Sequence, residues 1–223
     1  MSDPSHPVVA SLYDTVMELP EAYFLRDHRG FLAEGLPGTV LDLGAGTGAQ
    51  FEQFAKRADD TAALHAVEPD PHMRERARAR AEELDLPVEI ADARAESLPY
   101  DSDTFDTVVA SLVFCTIPDA EAALDEVARV LAPGGEFRFL EHVRATGTTG
   151  LVHDAVAPGW HAVAGGCHLN RQTGDLFRRD DRFELTEYDR FDAGVSGAVP
   201  LIRGEMRRRD SNPLLSVLRP AFS

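Results

Sequence analysis

The chain is poor in lysine, cysteine and tryptophan, with one lysine (Lys56), two cysteines (Cys115 and Cys167) and one tryptophan (Trp160) in 223 residues. Two cysteines cannot build a disulfide framework, so the fold must rest on a hydrophobic core, and the expected compartment is the reducing cytoplasm. No run of about 18 apolar residues occurs, which argues against a membrane span. The opening "MSDPSHPVV" has neither the basic start nor the apolar middle of a secretory signal. Bases are scarce overall: 38 acids against 22 bases leave a net charge of −16. Such a surface repels phosphate backbones, so DNA and RNA are not expected partners. An acidic, lysine-poor surface fits a protein from a salt-loving source, and the alternative is that arginine in place of lysine reflects base composition alone.

What the chain does have is a rhythm. Val8 to Glu34 read as two helices, the second with Phe24, Leu25, His28, Phe31 and Leu32 at helical spacing and "EGLPG" at its end. The apolar runs "TVLDLG", "ALHAVEP", "PVEIADA", "FDTVVASLVF" and "EFRFLEHV" follow. Helical segments separate most of them. One of these carries Phe51, Phe54, Ala55 and Ala58, another Met73, Ala77, Ala81 and Leu84, and a third ends in "APGG". Strands alternating with helices specify a parallel sheet covered on both faces. After Arg144 the rhythm breaks. "ATGTTG" reads as a loop, Leu151 to Asp180 as helical or irregular, and "RFELTEYDRF" with "PLIRGEMRR" as a closing hairpin.

The first strand-to-helix turn, "VLDLGAGTGAQ", is the natural ligand site of such a sheet. Gly44, Gly46 and Ala49 fit the dinucleotide pattern G-x-G-x-x-A, and glycines there let a ligand approach the backbone. Glu68, after the second strand, is placed to accept hydrogen bonds from a ribose diol. These features suit NAD and S-adenosylmethionine alike. Asp42 adds negative charge beside the loop, which suits a cationic sulfonium and opposes a pyrophosphate. The other reading of Asp42 is a carboxylate that braces the loop without touching the ligand. Asp92, after the third strand, can accept from an adenine amine.

Taken in order, "LDLGAGTG", "VEPD", "ADARAESLPYDSDTFDTVVAS" and "EVARVLAPGGEFRFLEH" resemble the class I S-adenosylmethionine-dependent methyltransferases, over about Thr39 to His142. The resemblance implies a Rossmann-like α/β fold with a seven-stranded, mostly parallel sheet, helices on both faces and a C-terminal antiparallel hairpin. It implies a single domain: a helical cap (1–36), a donor-binding core (37–145), an acceptor-side lid (146–180) and the hairpin with its tail (181–223). The implied donor is S-adenosylmethionine. Gly44, Ala45 and Gly46 would pack against its methionine part, Glu68 would hold the ribose and Met73 would cover the adenine. Asp92 and the amide of Ala93 would read the adenine edge, Ser111 would lie near the amino acid part, and Tyr13 would close over the donor.

Further along, "FLEHVRA" and "APGWHAVAGGCHLNRQT" resemble a group of thiol S-methyltransferases, without the hydrophobic N-terminal anchor of its animal members. This implies a small, apolar acceptor, a thiol first. Phospholipid and quinone methyltransferases share the core, so a lipid-like acceptor stays open, as does a donor-binding regulatory protein without turnover. Glu141 and His142, at the carboxyl end of the fifth strand, are the candidate acceptor-side catalytic groups. His142 is read as the base that ionises a thiol, or else as a brace for the next loop. Trp160, His161, Cys167, His168 and Arg171 are assigned to the lid, with Cys167 as a small buried packing residue. The spacing of His153, His161, Cys167 and His168 matches no standard zinc pattern, and no metal is expected.

Overall fold

In the computed structural model, residues 25–36, 38–59, 62–163, 166–193 and 199–210 are described. Tyr13 and the first expected N-terminal helix lie outside them. The elements run α1 (Arg26–Ala33), β1 (Thr39–Leu43), α2 (Phe51–Arg57), β2 (Ala63–Val67), α3 (Pro71–Glu83), β3 (Val88–Ala91) and β4 (Phe105–Ser111). They continue with α4 (Ala120–Val130), β5 (Leu131–His142), α5 (Gly147–Val163), α6 (Thr173–Arg179), β6 (Phe183–Ala193) and β7 (Val199–Arg208). One seven-stranded sheet forms in the order β3-β2-β1-β4-β5-β7-β6. The first five strands are parallel, and β7 runs antiparallel to both β5 and β6. The order reverses between β1 and β4, so the crevice of the sheet opens beyond their carboxyl ends. Among the described residues no helix is long and apolar enough to cross a membrane.

Local chemistry explains why the helices start where they do. Asp70 caps α3 by accepting from the amides of His72 and Met73, with Pro71 preset in the first turn. Asp119 caps α4 through the amide of Ala122. One expected inward residue needs correction: Met73 of α3 is only half-buried, because the neighbouring Arg74 takes the buried place. The "APGG" segment does more than stop α4. It forms a bulge inside β5, where the pairing jumps from Phe105↔Leu131 to Thr107↔Glu136.

Of the segment expected as the loop "ATGTTG", Ala145 and Thr146 are irregular, whereas Gly147 to Gly150 form the first turn of α5. Tertiary contacts fix it there. Arg144 forks onto both oxygens of Asp154 at 2.9 and 2.6 Å, and the His153 ring accepts from the Ala145 amide at 3.2 Å. These contacts tie the helix to the strand it leaves, which its Gly- and Thr-rich sequence alone would not do.

Two apolar clusters sandwich the sheet. One holds Leu32, Phe51, Phe54, Ala77 and Leu140 beneath α1, α2 and α3. The other joins α4 and α6 to Phe105, Phe114, Phe137, Phe139 and Phe183. Phe177 of α6 is the keystone of the second, with ring centroids 5.0, 5.3 and 4.7 Å from Phe114, Phe137 and Phe139. Truncating a buried phenylalanine costs about 3–5 kcal/mol through lost burial plus the cavity left behind. Phe177→Ala is expected to lower unfolding free energy by that amount in urea titration. A loss below about 1 kcal/mol would show that α6 is dispensable to this core.

Candidate active site

The turn after β1 is built so that something can lie against it. Gly44 and Gly46 both take the left-handed conformation, at φ 70° and 57°. The two differ in what surrounds them. A Cβ on Gly44 would stand 2.2 Å from Val113 Cγ2, whereas a Cβ on Gly46 would meet nothing within 4 Å. Gly44 is therefore glycine for packing and for φ, while the Gly46 face is open. The loop is also anchored to the next strand, since the Ala45 amide donates to the Val67 carbonyl at 3.0 Å and that of Gly46 to Glu68 Oε2 at 2.9 Å.

Around this turn the carboxyl ends of β1, β2, β3 and β4 gather acids and two arginines. Glu68 is buried and uses its other oxygen to accept from the Asp70 amide at 2.8 Å. Each carboxylate oxygen keeps a further lone pair. Arg74 links the ends of β2 and β3, donating to the Glu68 carbonyl at 2.6 Å and to Asp92 Oδ2 at 2.7 Å. Asp92 is nonetheless 68% exposed at its side chain, so its carboxylate still faces outward. Ala93 and Met73 are half-buried beside it. Asp42 is buried within β1 and its Oδ2 has no hydrogen-bond partner. Burial raises its pKa to about 7, against the pull of Arg29.

Arg29 is a site residue that the sequence reading overlooked. It is buried on α1, and its guanidinium donates to Ser111 Oγ at 2.7 Å while Gln50 holds its carbonyl at 2.8 Å. The signal was available. Arg29 falls four residues after Leu25 and three before Leu32, a cation on the apolar face of an amphipathic helix.

At the end of β5 the two expected catalytic neighbours diverge, because successive strand residues face opposite sides of a sheet. Glu141 is fully buried on the side of Phe137 and Phe139. Its Oε1 accepts from the amides of Val113 and Phe114, both at 3.0 Å, and its Oε2 has no hydrogen-bond partner. Just before these two amides stands Leu112 in the left-handed region at φ 58°, its own amide bonded to the Leu140 carbonyl at 2.7 Å. A leucine there costs about 1–2 kcal/mol, so the turn is held by its surroundings. His142 lies on the opposite side, 7% exposed, with both ring nitrogens unpartnered. Burial and the nearby His153 lower its pKa to about 4. It does not brace the following loop, because His153 does that.

The lid residues split. Arg171 donates to the carbonyls of Phe114 and Ile117 at 2.6 and 2.5 Å, while Trp160 is 45% exposed on α5. Cys167, expected to be a buried packing residue, is half-buried and in contact with the thiol of Cys115. The His161 and His168 rings lie 4.5 Å apart, and among the described residues no three metal-ligating side chains converge.

A sheet of this order, with a glycine turn after β1 and an acid after each of β2 and β3, matches a known domain. Residues 41–139 fit the family model described as a methyltransferase domain. Over those residues the chain is similar to the class I S-adenosylmethionine-dependent methyltransferase domain. It is 33% identical over 146 residues to the thiol S-methyltransferase TMT1A of Homo sapiens, covering 63% of this chain and 58% of that protein. The phosphatidylethanolamine N-methyltransferase of Cereibacter sphaeroides is 35% identical over 133 residues, 56% of this chain and 64% of the relative. The chain thus spans about three-fifths of the length of these curated relatives. Among solved structures, the YcgJ protein of Bacillus subtilis superposes with a TM-score of 0.66 at 16% identity, over 84% of this chain and 98% of that one, a likeness of fold.

Burial raises the pKa of Glu141 to about 8. The folded protein therefore keeps a proton that an unfolded glutamate loses near pH 4.5, and this contribution to stability declines as pH rises from about 4.5 through 8. Glu141→Gln, which is neutral at every pH, is expected to gain stability relative to wild type between pH 5 and 8 in urea titrations. A constant difference across that range would mean that Glu141 does not change its charge there.

Proposed function

We propose that the protein transfers the methyl group of S-adenosylmethionine to a small apolar acceptor, with thiols as the preferred class. The observation that carries this reading is the pairing of an open Gly46 face with a buried Asp42 oxygen that has no partner. A bound sulfonium amino acid supplies an electrophilic methyl group, and its transfer to a thiolate leaves a thioether and S-adenosylhomocysteine. The residues present fit that donor. Arg29 has the charge to face the methionine carboxylate, and Asp42 and Glu68 supply negative charge for its cationic groups. The free lone pairs of Glu68 suit the ribose hydroxyls, and the outward carboxylate of Asp92 suits an adenine amine. Ser111, tied to Arg29, sits at the amino acid end, and Met73 flanks the adenine side.

On the acceptor side, Glu141 is a positioning residue. It holds the Val113–Cys115 turn, and Val113 in turn forms the wall against Gly44. His142 is neutral throughout the physiological range. Moving a proton from a thiol of pKa about 8.5 to an imidazole at about 4 would cost roughly 6 kcal/mol. The thiol therefore arrives ionised, and His142 orients the acceptor within a water-poor crevice instead of removing its proton. A lipid-like acceptor is the second reading, favoured by the exposed apolar residues Leu151, Val152, Val156 and Trp160 on α5 and by the phospholipid relative.

Release of S-adenosylhomocysteine from a panel of thiols, phenols, quinones and phospholipids tests the assignment. Thiols are expected to turn over, with kcat/KM rising with pH along the acceptor's own ionisation and no inflection near 6.5. His142→Ala is expected to lower turnover about 10-fold or more, equally for acceptors of high and low pKa, with donor affinity unchanged. A loss that shrinks for acidic thiols would make His142 a general base. Turnover of phospholipid or quinone and of no thiol would overturn the thiol assignment.

A further inference from the structure

The two cysteines of the chain are distant in sequence and meet in the fold. Cys115 follows β4 in the turn that Glu141 holds, and Cys167 follows α5 in the lid. The backbone joins them, with the His168 amide donating to the Cys115 carbonyl at 2.8 Å. Arg171 adds two bonds from the same lid segment to the Phe114 and Ile117 carbonyls, at 2.6 and 2.5 Å. Between these stitches the two thiols are neighbours, and the Cys115 thiol donates to the Leu112 carbonyl at 3.6 Å. The adjacent Cys115 thiol, a contact from Trp160 and the charge of Arg171 outweigh burial and lower the Cys167 pKa to about 7. Cys115 is buried and its pKa is raised, by the adjacent Cys167 first and by burial next, with Glu141 adding to the effect. The partners are therefore unequal: one thiol is half-exposed and easily ionised, the other is buried and protonated.

We propose that Cys115 and Cys167 form a redox-modification site that closes into an intramolecular disulfide when the protein meets hydrogen peroxide. The methyltransferase reading is not needed for it. The Cys167 thiolate attacks one peroxide oxygen, the O–O bond breaks, and the departing hydroxide takes a proton to become water. Cys167 is left as a sulfenic acid. Cys115 then attacks the Cys167 sulfur, the S–S bond forms, and the S–O bond breaks. The departing hydroxide takes the Cys115 proton and leaves as a second water. Two thiols have lost two electrons and peroxide has gained them. The two backbones are already hydrogen-bonded side by side, so the segments that carry the two thiols are held together before the bridge forms. It closes a long chain loop and locks the lid onto the turn beside the donor loop.

The test is peroxide titration of the intact protein, followed by non-reducing intact mass and peptide mapping. The expected product is monomeric, lighter by two hydrogens, and gives a crosslinked peptide pair containing Cys115 and Cys167. Dithiothreitol should restore the original mass. The melting temperature should rise by about 5–10 °C on oxidation, since the bridge constrains the unfolded chain. Cys115→Ser should instead add oxygen at Cys167 with no loss of hydrogen, and Cys167→Ser should leave Cys115 unreacted. Both substitutions are small, and circular dichroism checks that each variant folds. A wild-type protein that gains oxygen without crosslinking, or that links only between molecules, would overturn the proposal.

Discussion

A single buried carboxyl group, Glu141, holds two consecutive amides of the turn that follows β4. Without it these donors would face the interior unpaired, at a cost of about 1–3 kcal/mol each. The preceding Leu112 would then have no reason to stay in its left-handed conformation. Much of the site depends on this turn. Val113 packs against Gly44 and sets one wall of the donor loop, Phe114 enters the aromatic cluster with Phe177, and Cys115 faces Cys167. The β5 carboxylate is thus coupled to the donor loop, the core and the lid through one short segment.

The second constraint is electrostatic. Asp42, Glu68 and Glu141 are all buried near the carboxyl ends of parallel strands, and burial raises the pKa of each. Arg29 and Arg74 stand among them, so the crevice offers fixed cations and acids whose charge responds to what binds. A cationic ligand that also carries a carboxylate complements that arrangement better than a pyrophosphate, which would bring negative charge against the acids.

The sequence was most informative where function is local. The strand-helix alternation, the turn containing Gly44 and Gly46, and the acids at the strand ends all follow from residues within a few positions of one another. The seven mostly parallel strands and the closing hairpin followed from that rhythm together with the family resemblance. What escaped depends on contacts distant in the chain. Arg29 becomes a site residue only by meeting Ser111. The first turn of α5 exists because Arg144 and His153 tie it down. The thiol pair exists because the lid folds back onto the β4 turn. The opposite directions of Glu141 and His142 are a different case. Adjacent residues in a strand cannot face the same side, so the alternation rule alone was enough to separate them.

The central claim is that the crevice beyond β1, β2 and β4 holds S-adenosylmethionine through Glu68 and the open glycine turn. Calorimetric titration of the donor into wild type and Glu68→Ala, with NAD as control, tests it most directly. Loss of charge-assisted hydrogen bonds should weaken donor binding by about 1.5–3 kcal/mol, or about 10- to 100-fold, with no binding of NAD. Unchanged donor affinity in Glu68→Ala, or tight binding of NAD to the wild type, would contradict the account.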